Sequence, residues 1–442
     1  MRPRLTEGAS QFLLLERAVE DEFRPQMLEE LQRRVNRVAE TVRATKPVCP
    51  DCDRAMVCQD VRPAWWLARF GRLEAAVPRY RCPRCHGESR PLLEHLGVEP
   101  GHICGSLARL LALLAAVVPY QLAATLAGLL LGVKTNAMGV WRVTQRLGQA
   151  AADYSEDLSL YHADSRSQGA PTAEAPTSVV LSVDGCSLGM QVRPNRRHRK
   201  TDTDVLPPLP PVEQGHFREV KTGVSCCCLR SGWKFRRSLV RRRLVSCLGD
   251  ADDIFHRLYG QLRELGWLGP DTMVVIVGDG AEWIWNRATW FIRRCEILDF
   301  WHAMEYAWAF AHLRFGEESP QAERWVRQIG VDLKAGKVDQ VIARLKRMRP
   351  PSPQVQASLD SLIRYYSENA SRMRYDEYLR LGYGIGSGAV ESAHKQVIHA
   401  RMRQAGMRWS QAGARRLLAL RLLLLNDHWA LLDRLTMASI AA

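Results

Sequence analysis

From about Gln11 to Thr45, apolar residues recur at helical spacing: Leu14, Leu15, Val19, Phe23, Met27, Leu31, Val35 and Val38 stand among Glu and Arg. That period predicts an amphipathic helical arm over 1–48, stopped by Pro47. The pattern changes at Cys49-Pro50-Asp51-Cys52 and again at Cys82-Pro83-Arg84-Cys85. Between the two pairs, Arg62 to Tyr80 carries Trp65, Trp66, Phe70 and Val77, which suits a hairpin filling a zinc-ribbon-like unit at 49–100. Leu110 to Val133 contains no charged residue and has the length of a bilayer span, but Pro119, Tyr120, Gln121 and Thr125 interrupt it. Two short helices, the second opened by Pro119, fit better, and no membrane span is expected. Tyr120 to Leu131, the turn Gly132-Val133 and Asn136 to Leu147 have helix-turn-helix character within 101–150, with Trp141, Arg142, Gln145 and Arg146 on the second helix. Helix pairs with a glycine turn also occur in proteins that never meet DNA.

From Gly148 to Thr177 the composition turns to Ala, Ser, Asp and Pro, read as a linker. Strand patterns follow at Val179–Val183, Glu219–Leu229, Ser238–Cys247, Met273–Val277 and Cys295–Phe300, with a helix across Asp252–Leu265. That order predicts a multidomain α/β protein whose sheet is of the ribonuclease H type, its first part at 175–304. An all-helical stretch at 305–374 reads as an insertion, and 375–436 as the final part of the core, leucine-rich around Leu417 to Leu425. The insert Arg193 to Gln214 joins a basic run to four prolines; it reads equally as a loop that tracks phosphates or as a solvated charge run.

Composition then narrows the partner. Lys and Arg number 62 against 47 Asp and Glu, a formal charge of +15, so a polyanion is the first expectation. Twelve cysteines with two Cys-x-x-Cys pairs favour a reducing, cytoplasmic compartment and a metal over disulfides. Cys49, Cys52, Cys82 and Cys85 supply the four sulfurs of a structural zinc site, although the gap between pairs exceeds that of simple fingers. Cys58 and His86 are not needed as ligands, and Cys226-Cys227-Cys228 lacks metal spacing and reads as core.

Asp184 and Asp279 each follow a buried-strand run, and Glu391 opens a helix after Gly386-Ser387-Gly388. Three separated carboxylates suit a site in which paired cations clamp the attacking and leaving oxygens of a phosphoryl transfer. Taken singly, each aspartate is better read as a turn residue. Lys395 lies four residues after Glu391 on the same helix face, and Arg401, Arg403 and Arg408 are placed to meet a DNA strand. Trp409 reads as core before it reads as a base-stacking residue. Asp299 and His302 are either polar groups satisfied at a helix start or supports beside the metals.

These residues together resemble the bacterial insertion-sequence transposases of the ISKra type, within the DDE superfamily related to Mutator-like elements. The resemblance rests on Val183-Asp184-Gly185, Gly278 to Asn286, Ile297 to Glu305, Tyr383 to Ser392, and Gly406-Met407-Arg408-Trp409-Ser410. It implies that Asp184, Asp279 and Glu391 are a catalytic triad holding two Mg2+ ions, for which Mn2+ can substitute, with a D-x-x-H element at Asp299 and His302. It further implies binding of terminal inverted repeats, hydrolysis at element ends and joining of the 3′-OH to target DNA. Holding both ends requires a homodimer or larger assembly, associated with the bacterial nucleoid. The rival readings are a structure-specific nuclease or resolvase and a transposase-derived DNA-binding regulator.

Overall fold

The computed structural model describes residues 11–99, 101–164, 176–191, 217–230 and 237–435. The chain divides into two compact units, 1–151 with 429–442, and 152–428.

The first unit opens with α1 (Gln11–Ala44), a helix of 34 residues that contains Pro25. Strands β1 (Val57–Ala68) and β2 (Gly71–Arg81) form an antiparallel hairpin, and β3 (Glu88–Ser89) adds to β2. Val35 and Ala39 of α1, with Leu28, Leu31, Val38 and Val42 beside them, pack against Ala64, Trp66, Leu73, Ala75 and Val77. The core face was expected to begin at Leu14. Instead Leu14, Leu15, Val19, Phe23 and Met27 are exposed. A helix of this length runs about 50 Å, and only its later turns lie over a two-stranded hairpin.

Helices α2 (Pro91–Leu96), α3 (Gly105–Val117), α4 (Tyr120–Leu131) and α5 (Ala137–Asp164) follow. Gly132 ends α4 in the left-handed region at φ 62°, where a side chain would be strained. Arg24 of α1 donates to the Leu131 carbonyl beside it, placing a cation at the helix C-terminus. Asn136 starts α5 by accepting the Gly139 N–H at 2.8 Å. The linker expected over 148–177 is overturned in its first part, since α5 continues to Asp164; 165–175 lie outside the described residues. The alanines of α5 are strong helix formers, and the later turns are held by Arg257, which donates to Ser155 Oγ at 2.6 Å. Among the described residues no helix is long and apolar enough to cross a membrane.

The second unit is built on a five-stranded sheet of order β6-β5-β4-β7-β8. Its strands are β4 (Ser178–Gly189), β5 (Phe217–Arg230), β6 (Arg237–Cys247), β7 (Met273–Gly278) and β8 (Arg294–Leu298). β4, β5 and β6 pair antiparallel, while β4, β7 and β8 are parallel. α6 (Ala251–Glu264) starts at a capping box between Asp250 and Asp253 and packs against β5 and β6. Gly223 makes room for it, since a Cβ there would stand 2.8 Å from Leu258 Cδ2. α7 (Glu282–Ala288) joins β7 to β8.

A helical block follows: α8 (Phe300–Phe315), α9 (Pro320–Lys334), α10 (Val338–Lys346) and α11 (Pro353–Asn369). It begins at Phe300, five residues before the expected insertion, and its core is continuous with that of the sheet through Phe300, Ala303 and Leu362. The chain returns through α12 (Tyr375–Arg380) and α13 (Gly388–His394) to a π-turn at Lys395–His399, then α14 (Ala400–Met402) and α15 (Gln411–Leu425). α13 packs on β4 and β5, and α15 on β6. The insert at 193–214 lies outside the described residues.

Candidate active site and metal centre

Strand register brings the carboxylates together. The parallel pairing of β4 with β7 ends at Ser182↔Val277, so Asp184 and Asp279 each stand two residues beyond it. The pairing of β7 with β8 ends at Gly278↔Leu298, which puts Asp299 beside Asp279. Asp279 and Asp299 therefore stand just past the carboxyl ends of β7 and β8, level with Asp184 within β4. Asp184 was expected at a strand end, yet β4 continues to Gly189 through its antiparallel pairing with β5. Its carboxylate stays partly accessible, with 26% of the side chain exposed.

Burial raises the Asp184 carboxyl above the ordinary carboxylate range, and the negative charge of Asp279 adds to the rise. His394 and the Gly185 N–H, which donates to Asp184 Oδ1 at 2.6 Å, act against it. Asp279 is half-buried; its Oδ1 accepts the Ala281 N–H at 3.1 Å, and its carbonyl accepts the Tyr365 hydroxyl at 2.6 Å.

Asp299 is fully buried and works as a junction. It accepts the N–H groups of Trp301 (2.5 Å) and His302 (3.2 Å) at the start of α8, and that of Ser387 from the loop leading to α13. Burial alone would push its carboxyl up; the contacts with His302 and Ser387 outweigh this and hold it at about 2. His302 Nδ1 lies 3.7 Å from Asp299 Oδ2, and that contact lifts the imidazole to about 9 against the effect of burial. A raised folded pKa gives stability that is complete below about 6.5 and lost as pH rises through about 9. An NMR titration of labelled histidine should therefore show His302 protonated at neutral pH, and Asp299→Asn should return its midpoint toward 6.5. A His302 midpoint near 6.5 in the unmodified chain would remove the ion pair from the site.

Glu391 is exposed in the first turn of α13, the helix that packs on β4. Three residues on, His394 is buried on the same helix with Nδ1 3.5 Å from Asp184 Oδ2. Burial lowers its pKa, while the charges of Asp184 and Glu391 raise it. Residue reasoning missed His394, although the three-residue spacing of Glu391 and His394 repeats that of Asp299 and His302 and was a usable signal. It also missed Tyr365, whose contact with Asp279 spans 86 residues and leaves no local trace.

The π-turn after α13 has its own support. Buried Arg421 of α15 donates to the Val397 carbonyl at 2.7 Å and to that of Gln396. Such turns often mark functional segments, and their displaced carbonyls need donors. Burial, with the charge of Arg401 nearby, lowers Arg421 to about 10. Arg421→Met should cost about 2–4 kcal/mol by leaving these buried carbonyls without their donor, and Arg421→Lys should recover part of the loss in urea unfolding. An unchanged midpoint would mean that the π-turn does not depend on this side chain.

The basic residues separate into groups. Lys395 and Arg403 are exposed, and Arg403 Nη1 approaches His399 Nε2 at 3.3 Å. Arg408 is half-buried. Arg401, expected on a DNA strand, is buried instead, with its guanidinium 5.4 Å from the Trp409 ring centroid. Trp409 is core, as expected: its Nε1 donates to the Met402 carbonyl at 2.8 Å. In the first unit Arg142 is exposed, while Arg146 donates to the Ile103 carbonyl at 2.6 Å.

In that unit the two Cys-x-x-Cys turns converge. The sulfurs of Cys49, Cys52, Cys82 and Cys85 all lie within 4.8 Å of one another. Tetrahedral zinc with Zn–S near 2.3 Å requires sulfurs about 3.8 Å apart, so the donor set fits. Backbone N–H groups of Cys85 and Arg84 hold the Cys82 thiol down at about 6, whereas contact with Cys85 pushes Cys52 up to about 12. Among the described residues this is the one group of three or more such side chains gathered closely enough to hold an ion.

No family model matches the chain, and no curated protein matches it. Among solved structures it is similar to one described as the Drosophila P element transposase strand transfer complex, with 10% identity over 76% of this chain and 82% of that one. The TM-score is 0.25, a level at which no shared fold is inferred.

Proposed function

We propose that the chain is a DDE-type transposase of the ISKra kind, whose catalytic residues are Asp184, Asp279 and Glu391. In this reading the second unit is a ribonuclease H-like core at 175–304 and 375–436, interrupted by the helical block at 305–374. The first unit, comprising the arm at 1–48, the zinc-binding unit at 49–100 and the helix-turn-helix at 101–150, recognises the element ends. The observation that carries the reading is the register, which aligns Asp184 with Asp279 beside the helix bearing Glu391.

Carboxylate oxygens are the donor type hard cations take, and Asp184, Asp279 and Glu391 would supply them from three elements to a pair of ions about 3.5–4 Å apart. Mg2+ bound there, or Mn2+ in its place, supplies the activation of water and the stabilisation of the leaving 3′ oxygen. The chain itself contributes positioning and charge. Asp299 ties β8, α8 and the Ser387 loop together at the start of α13, the helix that carries Glu391. His302, protonated at neutral pH, adds a positive charge beside Asp279, and Lys395 and Arg403 offer exposed cations to the phosphate backbone.

The test incubates purified protein with Mg2+ and DNA carrying the element's terminal repeats. Nicks at the ends with free 3′-hydroxyls, followed by joined products from a complex with the mass of two or more copies, are expected. Nicking that never proceeds to joining favours the nuclease reading, and intact ends overturn both.

A further inference from the structure

Trp301 is the most exposed tryptophan among the described residues, at 62%, whereas Trp66, Trp267, Trp285 and Trp409 are buried. An exposed indole on a loose loop would mean little. This one is held in a fixed orientation. Its backbone N–H donates to Asp299 Oδ1 at 2.5 Å, which anchors it at the first turn of α8. The Phe300 ring meets it edge to face, with centroids 5.3 Å apart. Gly386 lies flush against the indole edge, where an added Cβ would stand 3.1 Å from Cδ1 and 3.2 Å from Nε1. Phe300 N–H donates to the Ile385 carbonyl at 2.8 Å, so the loop leading to Glu391 is fastened beside the indole. The Lys334 ammonium stands 5.9 Å from the ring centroid and 4.4 Å from that of Phe300.

A largely exposed aromatic ring, packed against Phe300 and Gly386, therefore stands next to Asp299, with a cation beside it. We propose that Trp301 is a stacking platform for an unpaired nucleobase next to the phosphate that reaches Asp184 and Asp279. The inference rests on the proposed DNA-cleaving function and adds to it the state of the substrate. Asp184 is recessed, with 26% of its side chain accessible, so a phosphate must come close to reach it. A base that leaves the duplex stack frees its backbone for that approach, and stacking on the indole offsets the cost of unstacking. Trp301 acts as a positioning residue: it holds the base and leaves the reacting atoms to the carboxylates.

The experiment uses the full-length protein in Ca2+ buffer and two oligonucleotide probes, a perfect duplex and a fork with 2-aminopurine in its unpaired arm. Unmodified protein should quench the fork's fluorescence on binding. Trp301→Ala should abolish the quenching and weaken fork binding roughly ten- to hundredfold, with duplex binding unchanged; Trp301→Phe should retain most of both. Asp279→Asn should quench normally while failing to cleave in Mg2+, so loss of the stacking proposal and loss of the catalytic reading give different results. Quenching that survives in Trp301→Ala, or equal weakening for fork and duplex, overturns the proposal. So does a Trp301→Ala defect confined to self-association, which would make the indole a protein contact. Unmodified protein that binds neither probe overturns the proposal together with the reading beneath it.

Discussion

Asp279→Asn should leave a folded protein that still binds DNA and cleaves it on the order of a thousandfold more slowly or worse. The contacts of Asp279 that serve the fold survive the change. The Ala281 N–H, now bonded to Oδ1, can donate to the amide oxygen of Asn, and the Tyr365 hydroxyl bonds to the main-chain carbonyl, which is untouched. Only the negative charge is lost, and it belongs to the row formed with Asp184. Thermal melting should therefore stay close to that of the unmodified chain, while single-turnover cleavage in Mg2+ falls away. Glu391→Gln should behave alike, being exposed on α13. Asp299→Ala should differ in kind: it strips the acceptor from Ser387, Trp301 and His302 inside a buried junction, so stability and cleavage fall together. If Asp279→Asn cleaves within tenfold of the unmodified rate, the aspartate row is a structural turn cluster and the catalytic assignment is wrong.

Much of this site could be read in advance because it is built from local signals. A buried run such as Met273 to Val277 fixes a strand whatever surrounds it, and the residue just past it must stand at the strand end. Asp184 shows where that logic stops. Its strand runs on to Gly189, and its alignment with Asp279 comes from the register with β7, a neighbour distant in sequence. Arg401 and Arg408 looked alike along the chain. Packing buried the first against Trp409 and left the second half-buried, a distinction that depends on the fold around them. The second half of α5, past Gly148, was missed for the opposite reason, since composition suggested a linker where alanine's helix preference and the Arg257 contact prevailed. The apolar face of α1 was assigned correctly by period but too far toward the N-terminus, because periodicity shows which side of a helix is apolar and not how much of it is covered.

Cys82→Ser should abolish zinc binding and cost the first unit its hairpin base, while the second unit's melting transition persists. The four thiols crowd one small volume, and Cys49 and Cys82 are buried there with Met56 and Tyr80. Without a cation, that crowding is unfavourable for more than one thiolate. Contact with Cys85 pushes Cys52 up to about 12, and burial raises Cys49. Cys82 is the exception, held at about 6 by backbone N–H groups, so it is the sulfur readiest to accept the ion. Zinc held by these four sulfurs would make all four thiolates favourable at once and release their protons, so its binding free energy would become folding free energy for the two turns that meet there. Serine at position 82 offers a poor ligand and breaks that coupling. Zinc content should drop from one per chain to near zero, and limited proteolysis should open the chain between residues 49 and 90. Cys58→Ser, altering an exposed thiol outside the quartet, should change neither. Full zinc content in Cys82→Ser would show that the quartet is not the metal site.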